Sequence, residues 1–365
     1  MTPAILTIAG LGKRYGDVVA LAPTDLEVAR GEFLTLLGPS GSGKTTLLSL
    51  IAGLSAPDSG RLLIDGRDLT DGAPYERDLG MVFQNYALFP HMTVAENIAF
   101  PLKMRKVDAA EAKRQAQAAL DLVRLPQVAQ RYPKELSGGQ QQRIALARCL
   151  VYRPSIVLMD EPLGALDKKL RDQMQLEIRR IHRELGTTIV YVTHDQEEAM
   201  TMSDRICLMN HGRIEQLGTP ADLYFRPRNL FVADFLGESN LLEGIVERLD
   251  GDEAEVRLAH GAGLARARWH EPVAAGARVR LMVRPQNVAV AGQAAGEAVN
   301  TLAGTVLDST ITGSLTRLYV ACTAAGAVPV VACHATSGRA ADHPRGATVA
   351  LQWHSRDAVV LPEGA

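Results

Sequence analysis

The stretch that most limits the fold is "FLTLLGPSGSGKTTLLSLIAG", Phe33 to Gly53. Phe33 to Leu37 are apolar without alternation, which is the pattern of a strand covered on both faces in a parallel sheet. A glycine-rich turn follows, and from Lys44 the sequence reads as a helix that Gly53 closes. The turn fits G-x-x-x-x-G-K-[ST] at Gly38 to Thr45, with the strand before it and the helix after it that the pattern requires. Its glycines let the backbone wrap closely around phosphate oxygens. Gly38, Pro39, Ser40, Gly41, Ser42, Gly43, Lys44, Thr45 and Thr46 therefore form a candidate nucleotide-binding turn. Lys44 is placed to reach the β- and γ-phosphates, and the Thr45 hydroxyl to hold Mg²⁺. Such a unit belongs at the carboxyl edge of a largely parallel sheet, so the fold class is α/β.

Two later apolar runs repeat this logic. "IVLM" (Ile156 to Met159) leads into Asp160 and Glu161, and "TIVYV" (Thr188 to Val192) leads into Thr193, His194 and Asp195. Ligands of parallel sheets gather outside the carboxyl ends of the strands, so three strands deliver polar residues to one rim. Two acids after a strand commonly mark nothing but a solvated end. Beside a nucleotide turn they take roles, Asp160 as a holder of Mg²⁺ and Glu161 as the general base that orients the attacking water. A lone histidine is more often structural. His194, at a strand end and followed by the Asp195–Glu198 spacing of a capping box, is a candidate γ-phosphate contact. Tyr15, in "GKRYGD", is either a stacking partner for the adenine ring or a plain surface tyrosine.

A second phosphate-seeking device lies in "LSGGQQQR", Leu136 to Arg143. Ser137 and the two glycines stand ahead of a helical stretch and offer unpaired N–H groups to an anion. Before it, the Ala-rich segment Val107 to Leu125 has helical spacing, and the helix after Ser137 has to stop ahead of Pro154. Together these predict a small helical subdomain at about residues 85–155. After "FVADFLGESN" (Phe231 to Asn240) the texture changes to short alternating segments, among them "GIVERL", "EVRL", "RVRLMVRP" and "TVALQWH", separated by Gly-rich turns. They predict a β-rich, barrel-like second domain. With 365 residues, 47% of them apolar, the chain can build a core in each.

Composition removes several functions. Lys and Arg number 39 against 41 Asp and Glu, so no basic excess points to nucleic acid. The four cysteines have no CxxC spacing and make no zinc set, which fits ordinary thiols in a reducing compartment. "MTPAILTIAG" lacks the basic head and apolar core of an export signal. Leu318 to Gly338 carries no Asp, Glu, Lys or Arg over a length that can span a bilayer, but Gly326 and Pro329 interrupt it. Two short strands around a turn are the expectation there. Any membrane contact then goes through partners.

The ordered set of the nucleotide turn, Gln84 in "MVFQNYALFP", "LSGGQQQR", "IVLMDEP", "GALD" and "VTHD" resembles the ATP-binding subunit of ABC transporters over about residues 4 to 236. The resemblance implies a P-loop NTPase (ABC ATPase) core at 1–236, with ATP and Mg²⁺ as ligands and a second copy of the chain as partner. In that family two copies pack head to tail, and each ATP lies between the P-loop of one and the signature turn of the other. By this resemblance Ser137 and Gly139, with Gly138 and Gln140 of the same turn, serve the opposite nucleotide. Gln84 approaches Mg²⁺ and the attacking water, and Asp167 lies in a loop that crosses the dimer interface. Gly164 stands where many members have serine. The stretch after Gln84 implies a cleft for a cytoplasmic helix of a transmembrane subunit, with Tyr86, Phe89, Pro90 and His91 as candidate docking residues and Leu88 and Phe100 as core.

The tail, 237–365, resembles the OB-like regulatory (TOBE-like) domain of importer ATPases for polyamines, iron, maltose and aminoethylphosphonate. "MVRPQNVAV" (Met282 to Val290) matches a motif of that domain, with Gln286 where glutamate is usual. Within this group "MVFQNYALFPHMTVAENIAFPL" and "VTHDQEEAMTMSDRI" are most similar to spermidine/putrescine importers. The implied partners are two permease subunits and, indirectly, a solute-binding protein, with the chain peripheral on the cytoplasmic face of the cell membrane. Importers of iron(III), 2-aminoethylphosphonate or a sugar are alternatives. A soluble ABC-type ATPase of repair or translation is another, but Gln84 and Ser137 are too close for long coiled-coil arms and the chain has one cassette. Intact Lys44, Asp160, Glu161 and His194 speak against a non-catalytic regulatory cassette.

Overall fold

The computed structural model describes residues 3–164, 166–291, 300–336 and 343–363. The chain falls into two units, Met1–Pro220 and Ala221–Ala365. In the first, β1 (Ala4–Tyr15) and β2 (Val18–Ala29) pair antiparallel and lead into β3 (Phe33–Leu37). α1 (Lys44–Ala52) follows the glycine-rich turn and ends on Gly53, whose φ of 76° is the left-handed cap that glycine supplies without steric cost. β4 (Ser59–Ile64) and β5 (Arg67–Asp68) complete an antiparallel sheet of order β2-β1-β4-β5.

The second sheet of this unit uses β3 and five later strands. They are β6 (Leu79–Val82), β7 (Ile156–Asp160), β8 (Thr188–Thr193), β9 (Arg205–Asn210) and β10 (Arg213–Gly218). The order is β10-β9-β3-β8-β7-β6, parallel throughout except for the β9–β10 hairpin. Period-two alternation sorts the central strands onto two cores. Leu34, Leu36, Ile156, Leu158, Val190 and Val192 face α1 and the antiparallel sheet. Phe33, Val157, Met159, Ile189 and Tyr191 face the helices. Both faces are buried, which is why these strands read as unbroken apolar runs.

Helices α2 (Val94–Met104), α3 (Ala109–Leu122) and α4 (Gly138–Leu150) lie within the predicted helical subdomain and share one core. Each starts on a side-chain cap, Thr93, Asp108 and Ser137 respectively. α5 (Lys168–Leu185) and α6 (Gln196–Met202) connect the strands that follow.

After α7 (Pro220–Phe225) and α8 (Leu230–Phe235), the second unit is built from ten strands among its described residues. β11 (Asn240–Asp250), β12 (Glu253–Leu258), β13 (Leu264–Trp269) and β14 (Arg278–Val283) make four staves of a closed barrel. β15 (Ala289–Val290), β16 (Asn300–Thr312), β17 (Leu315–Ala321), β18 (Val330–Ala335) and β19 (Thr348–Trp353) form a separate five-stranded sheet. β20 (Ala358–Pro362) then returns to close the barrel between β13 and β14. The barrel matches the expectation; the inserted sheet was not foreseen. The charge-free segment from Leu318 contributes to antiparallel β17 and β18 as expected, while its last two residues, 337 and 338, lie outside the described residues. No helix among the described residues is long and apolar enough to cross a membrane.

Candidate functional site

The turn between β3 and α1 is shaped by backbone that only glycine tolerates. Gly38 has φ 152°, and a Cβ there would lie 2.2 Å from the Met209 carbonyl oxygen. Gly43, at φ 98°, would place one 2.7 Å from the carbonyl oxygen of Ala20. Walls of main chain cannot give way as a side chain can, so these two glycines let the loop sit against its own strands. α1 begins with no side-chain cap, which leaves its first N–H groups to an outside acceptor. Lys44, 5% exposed, donates from Nζ to the Gly38 and Pro39 carbonyls, each at 2.8 Å. Burial pulls its pKa down, and the nearby Glu161 and Asp160 oppose that shift.

Register sets the acids beside this turn. In the sheet Asp160 pairs with Val192 and Leu37 with Thr193, so the strand ends are level. Thr45 Oγ1 donates to Asp160 Oδ1 over 3.4 Å. Burial, and then the adjacent Glu161, push the Asp160 carboxyl up, which marks a carboxylate short of positive charge. Glu161 leaves the strand with φ 43°, a conformation costly for a residue with a Cβ, by about 1–3 kcal/mol. Its N–H is held by the Val192 carbonyl at 3.0 Å, and its Oε1 lies 3.2 Å from His194 Nδ1. The two residues expected to act on the γ-phosphate end of the site are thus in contact, His194 with its imidazole largely exposed.

Gln84 is exposed in the loop after β6. A Cβ on Gly164 would lie 3.9 Å from Gln84 Nε2 and 3.5 Å from the Glu161 carbonyl oxygen, so Gln84 sits at the turn that follows the acid pair. Tyr15, 54% exposed, ends β1 with Lys13 Nζ 5.5 Å above its ring.

Ser137, Gly138, Gly139 and Gln140 form the start of α4. Gln140 N donates to Ser137 Oγ at 3.4 Å, and Gln140 Oε1 accepts from Ser137 N at 3.0 Å, a complete capping box. Ser137 and Gly138 are exposed and Gly139 is buried. A Cβ at Gly139 would come within 2.8 Å of Leu170 Cδ1, and one at Gly138 within 3.5 Å of Leu166 Cδ2. The signature turn therefore packs against the residues on either side of Asp167, whose own carboxylate caps α5 by accepting from Leu170 N at 3.0 Å.

Two expectations need correction. Tyr86 is no surface residue: it is 8% exposed and belongs to the helical core, because φ values of 60° at Tyr86 and 46° at Ala87 turn the chain inward. Phe89 is half-buried against Phe100, ring centroids 4.6 Å apart, while Pro90 and His91 are exposed. The Asp195–Glu198 capping box is only half made. Asp195 Oδ1 accepts from the N–H groups of Glu197 and Glu198, but the Glu198 side chain turns inward to accept from Tyr191 OH at 2.7 Å and Thr193 Oγ1 at 2.8 Å. A phenol and a hydroxyl inside the protein outbid the backbone N–H at the helix start.

Sequence reasoning also missed two arginines. Arg148 of α4 donates to the carbonyls of Tyr86 and Ala87 at 2.9 and 2.8 Å and so holds the strained loop after Gln84. Arg171 of α5 donates to Asp195 at 2.9 Å and to the Leu166 carbonyl at 3.2 Å. Neither has a local pattern, since every partner is distant in sequence or a main-chain carbonyl. In the second unit Arg284 is 1% exposed and donates to the carbonyls of Ala233 and Gly237, while Gln286 donates to the Tyr224 hydroxyl.

This arrangement, a buried lysine beside an uncapped helix start, two acids of which Asp160 is pushed up by burial, and a histidine on the other, suits a polyphosphate with a divalent cation. Comparison with known proteins supports the nucleotide part of this reading. The ABC transporter family matches residues 21–164, and the TOBE domain family matches residues 281–361. The spermidine/putrescine import ATP-binding protein PotA of Methylococcus capsulatus is 46% identical over 98% of this chain and 92% of its own. Its namesake from Chromobacterium violaceum is 52% identical over 78% of this chain and 79% of its own. Among solved structures, cbiO1 of Clostridium perfringens, part of the ABC transporter complex cbiONQ, is 29% identical with a TM-score of 0.57, over 60% of this chain and 90% of its own. A bacterial ABC transporter cassette solved as a dimer is 35% identical with a TM-score of 0.53, over 59% of this chain and 98% of its own. The chain belongs to the family of ABC transporter ATP-binding proteins.

Proposed function

We propose that this chain is the ATP-hydrolysing subunit of an importer for spermidine and putrescine, and that it works as a head-to-tail dimer on two membrane permease subunits. The observation that carries the ATPase reading is the meeting of Lys44, Asp160, Glu161 and His194 at the level ends of β3, β7 and β8. The polyamine reading rests on the import proteins of that name, similar over nearly the whole chain.

In this reading Lys44 exchanges its loop carbonyls for phosphate oxygens, and the free N–H groups of α1 cradle the rest. Thr45, Asp160 and Gln84 are the residues to hold Mg²⁺, which when bound supplies charge neutralisation to the phosphates and relieves the charge deficit at Asp160. Glu161 takes the proton of the attacking water, with His194 holding the carboxylate side-on and contacting the γ-phosphate. Tyr15 stacks on the adenine. Ser137 and Gly139, with Gly138 and Gln140, offer the start of α4 to the nucleotide of the other copy, and the Asp167 loop crosses between the copies. ATP binding then favours the closed dimer and hydrolysis releases it, a population shift set by differential affinity. Pro90 and His91, with the outer edge of Phe89, are the docking surface for the permease. A peripheral position on the cytoplasmic face of the membrane, with a solute-binding protein as indirect partner, completes the reading.

The test is purification from membranes with the permease attached, followed by ATP hydrolysis in reconstituted vesicles with and without spermidine and its binding protein. Hydrolysis coupled to spermidine uptake is expected. Hydrolysis coupled to a sugar or to iron(III) instead would replace the substrate and leave the ATPase reading standing.

A further inference from the structure

Among the described residues His194 has one side-chain partner, Glu161, and its imidazole is otherwise largely exposed. What fixes it is therefore the backbone on either side, and that backbone is anchored with unusual density. Thr193, buried, accepts from Asp195 N at 3.0 Å and donates to Glu198 at 2.8 Å. Asp195 spends Oδ1 on capping α6 and Oδ2 on Arg171 at 2.9 Å. Arg171 also lies 3.8 Å from Glu198 Oε1 through Nε, and its other terminal nitrogen donates to the Leu166 carbonyl at 3.2 Å. Leu166 and Leu170 are the side chains on which Gly138 and Gly139 pack, and Asp167 lies between them. One guanidinium thus joins the loop and turn assigned to the partner copy with the turn that carries His194.

We propose that Arg171 is a positioning residue for His194, linking the Asp167 loop and the signature turn to the histidine through Asp195 and buried Glu198. The inference rests on the reading in which His194 serves the bound nucleotide and the Asp167 loop meets the second copy. Its physical basis is the fork of the guanidinium: a planar group with several donors can hold the Leu166 carbonyl and the Asp195 carboxylate in a fixed relation while Glu198, 3.8 Å from Nε, meets it as a charge, whereas an ammonium on a flexible stem cannot. The Glu198 carboxyl is pushed up by burial, and its two hydroxyl donors and, after them, the Arg171 charge oppose that shift. Movement of the loop on dimer closure would then reach His194 by way of one side chain.

The test is a double-mutant cycle in the full chain. Arg171→Lys and Arg171→Met are each made alone and with His194→Ala, and kcat, ATP affinity and melting temperature are measured for all. A displacement of about 1 Å at a catalytic group costs on the order of 100-fold, so kcat of Arg171→Met is expected to fall about 10- to 100-fold. ATP affinity should fall far less than kcat, because the P-loop is not touched. In the His194→Ala background the Arg171 substitutions should cost nothing further. Losses that multiply instead would overturn the positioning role while leaving His194 in place. Wild-type turnover in His194→Ala would remove the role of His194 itself, and this one with it. Should Arg171→Met fail to fold, Glu198→Gln, which keeps an acceptor for both hydroxyls, carries the same cycle with the same two outcomes.

Discussion

The starts of α1 and α4 are both glycine-rich helix N-termini, yet they differ in every respect that decides what they bind. α1 has no side-chain cap, a buried lysine beside it and two acids at the neighbouring strand ends. α4 is closed by its own capping box, exposes Ser137 and uses Gly139 for packing on Leu170. One surrounds its helix start with a lysine and two carboxylates. The other is partly satisfied in the single chain by its capping box, and a helix start worth about 0.3–1 kcal/mol to an anion does not hold a nucleotide unaided. The difference supports the proposed reading in which the second start is half of a site, completed when another copy brings the phosphate.

Substitutions can break this comparison from either side. The largest effect is expected at Lys44: Lys44→Ala should abolish detectable nucleotide binding in an equilibrium titration, and unchanged affinity would end its role. Glu161→Gln should next cut turnover by roughly 10² to 10⁴ while ATP-bound dimers accumulate in sedimentation. Turnover at the wild-type rate would take Glu161 out of the mechanism. Ser137→Ala should leave ATP binding to the single chain intact and weaken ATP-induced dimerisation by about 10-fold, in line with a lost hydrogen bond to a charged group. A separate loss of about 1 kcal/mol in thermal stability is expected from the missing cap. Equal losses at α1 and α4 in the single-chain titration would erase the distinction between the two starts. The smallest effect belongs to Gly164→Ser, where a Cβ meets only ordinary contacts at 3.5 and 3.9 Å. Stability within about 0.5 kcal/mol of wild type is expected by calorimetry, as for substitutions away from packed features.

Much of the candidate site was legible because its parts are covalent neighbours in recognisable order. A buried strand, a glycine turn and a helix in succession fix the P-loop, and an acid pair after an apolar run fixes a strand end. What stayed hidden depends on contacts across the chain or on backbone angles. The φ of 43° at Glu161 has no sequence signature, because it arises where the chain leaves β7 and no local residue pattern encodes it. Tyr86 looked like a docking aromatic, and nothing in its surroundings announced that Arg148, from α4, would hold its carbonyl while its ring entered the core. Glu198 had the spacing of a cap and became the inner anchor of β8 because Tyr191 and Thr193 point into the same space. In the second unit alternation revealed strands, but the return of β20 to complete the barrel around an inserted sheet is a long-range pairing that periodicity does not encode.

The claim that each nucleotide pocket is shared by two copies can be tested by mixing two disabled proteins. A Lys44→Ala chain lacks a working P-loop, and a Ser137→Glu chain sets a negative charge against the partner's phosphate. Random pairing in an equal mixture makes half of the dimers mixed, each with one intact pocket, so about a quarter of the wild-type hydrolysis should return. A mixture as inactive as its components, or a Ser137→Glu chain that hydrolyses ATP at the wild-type rate by itself, would contradict it.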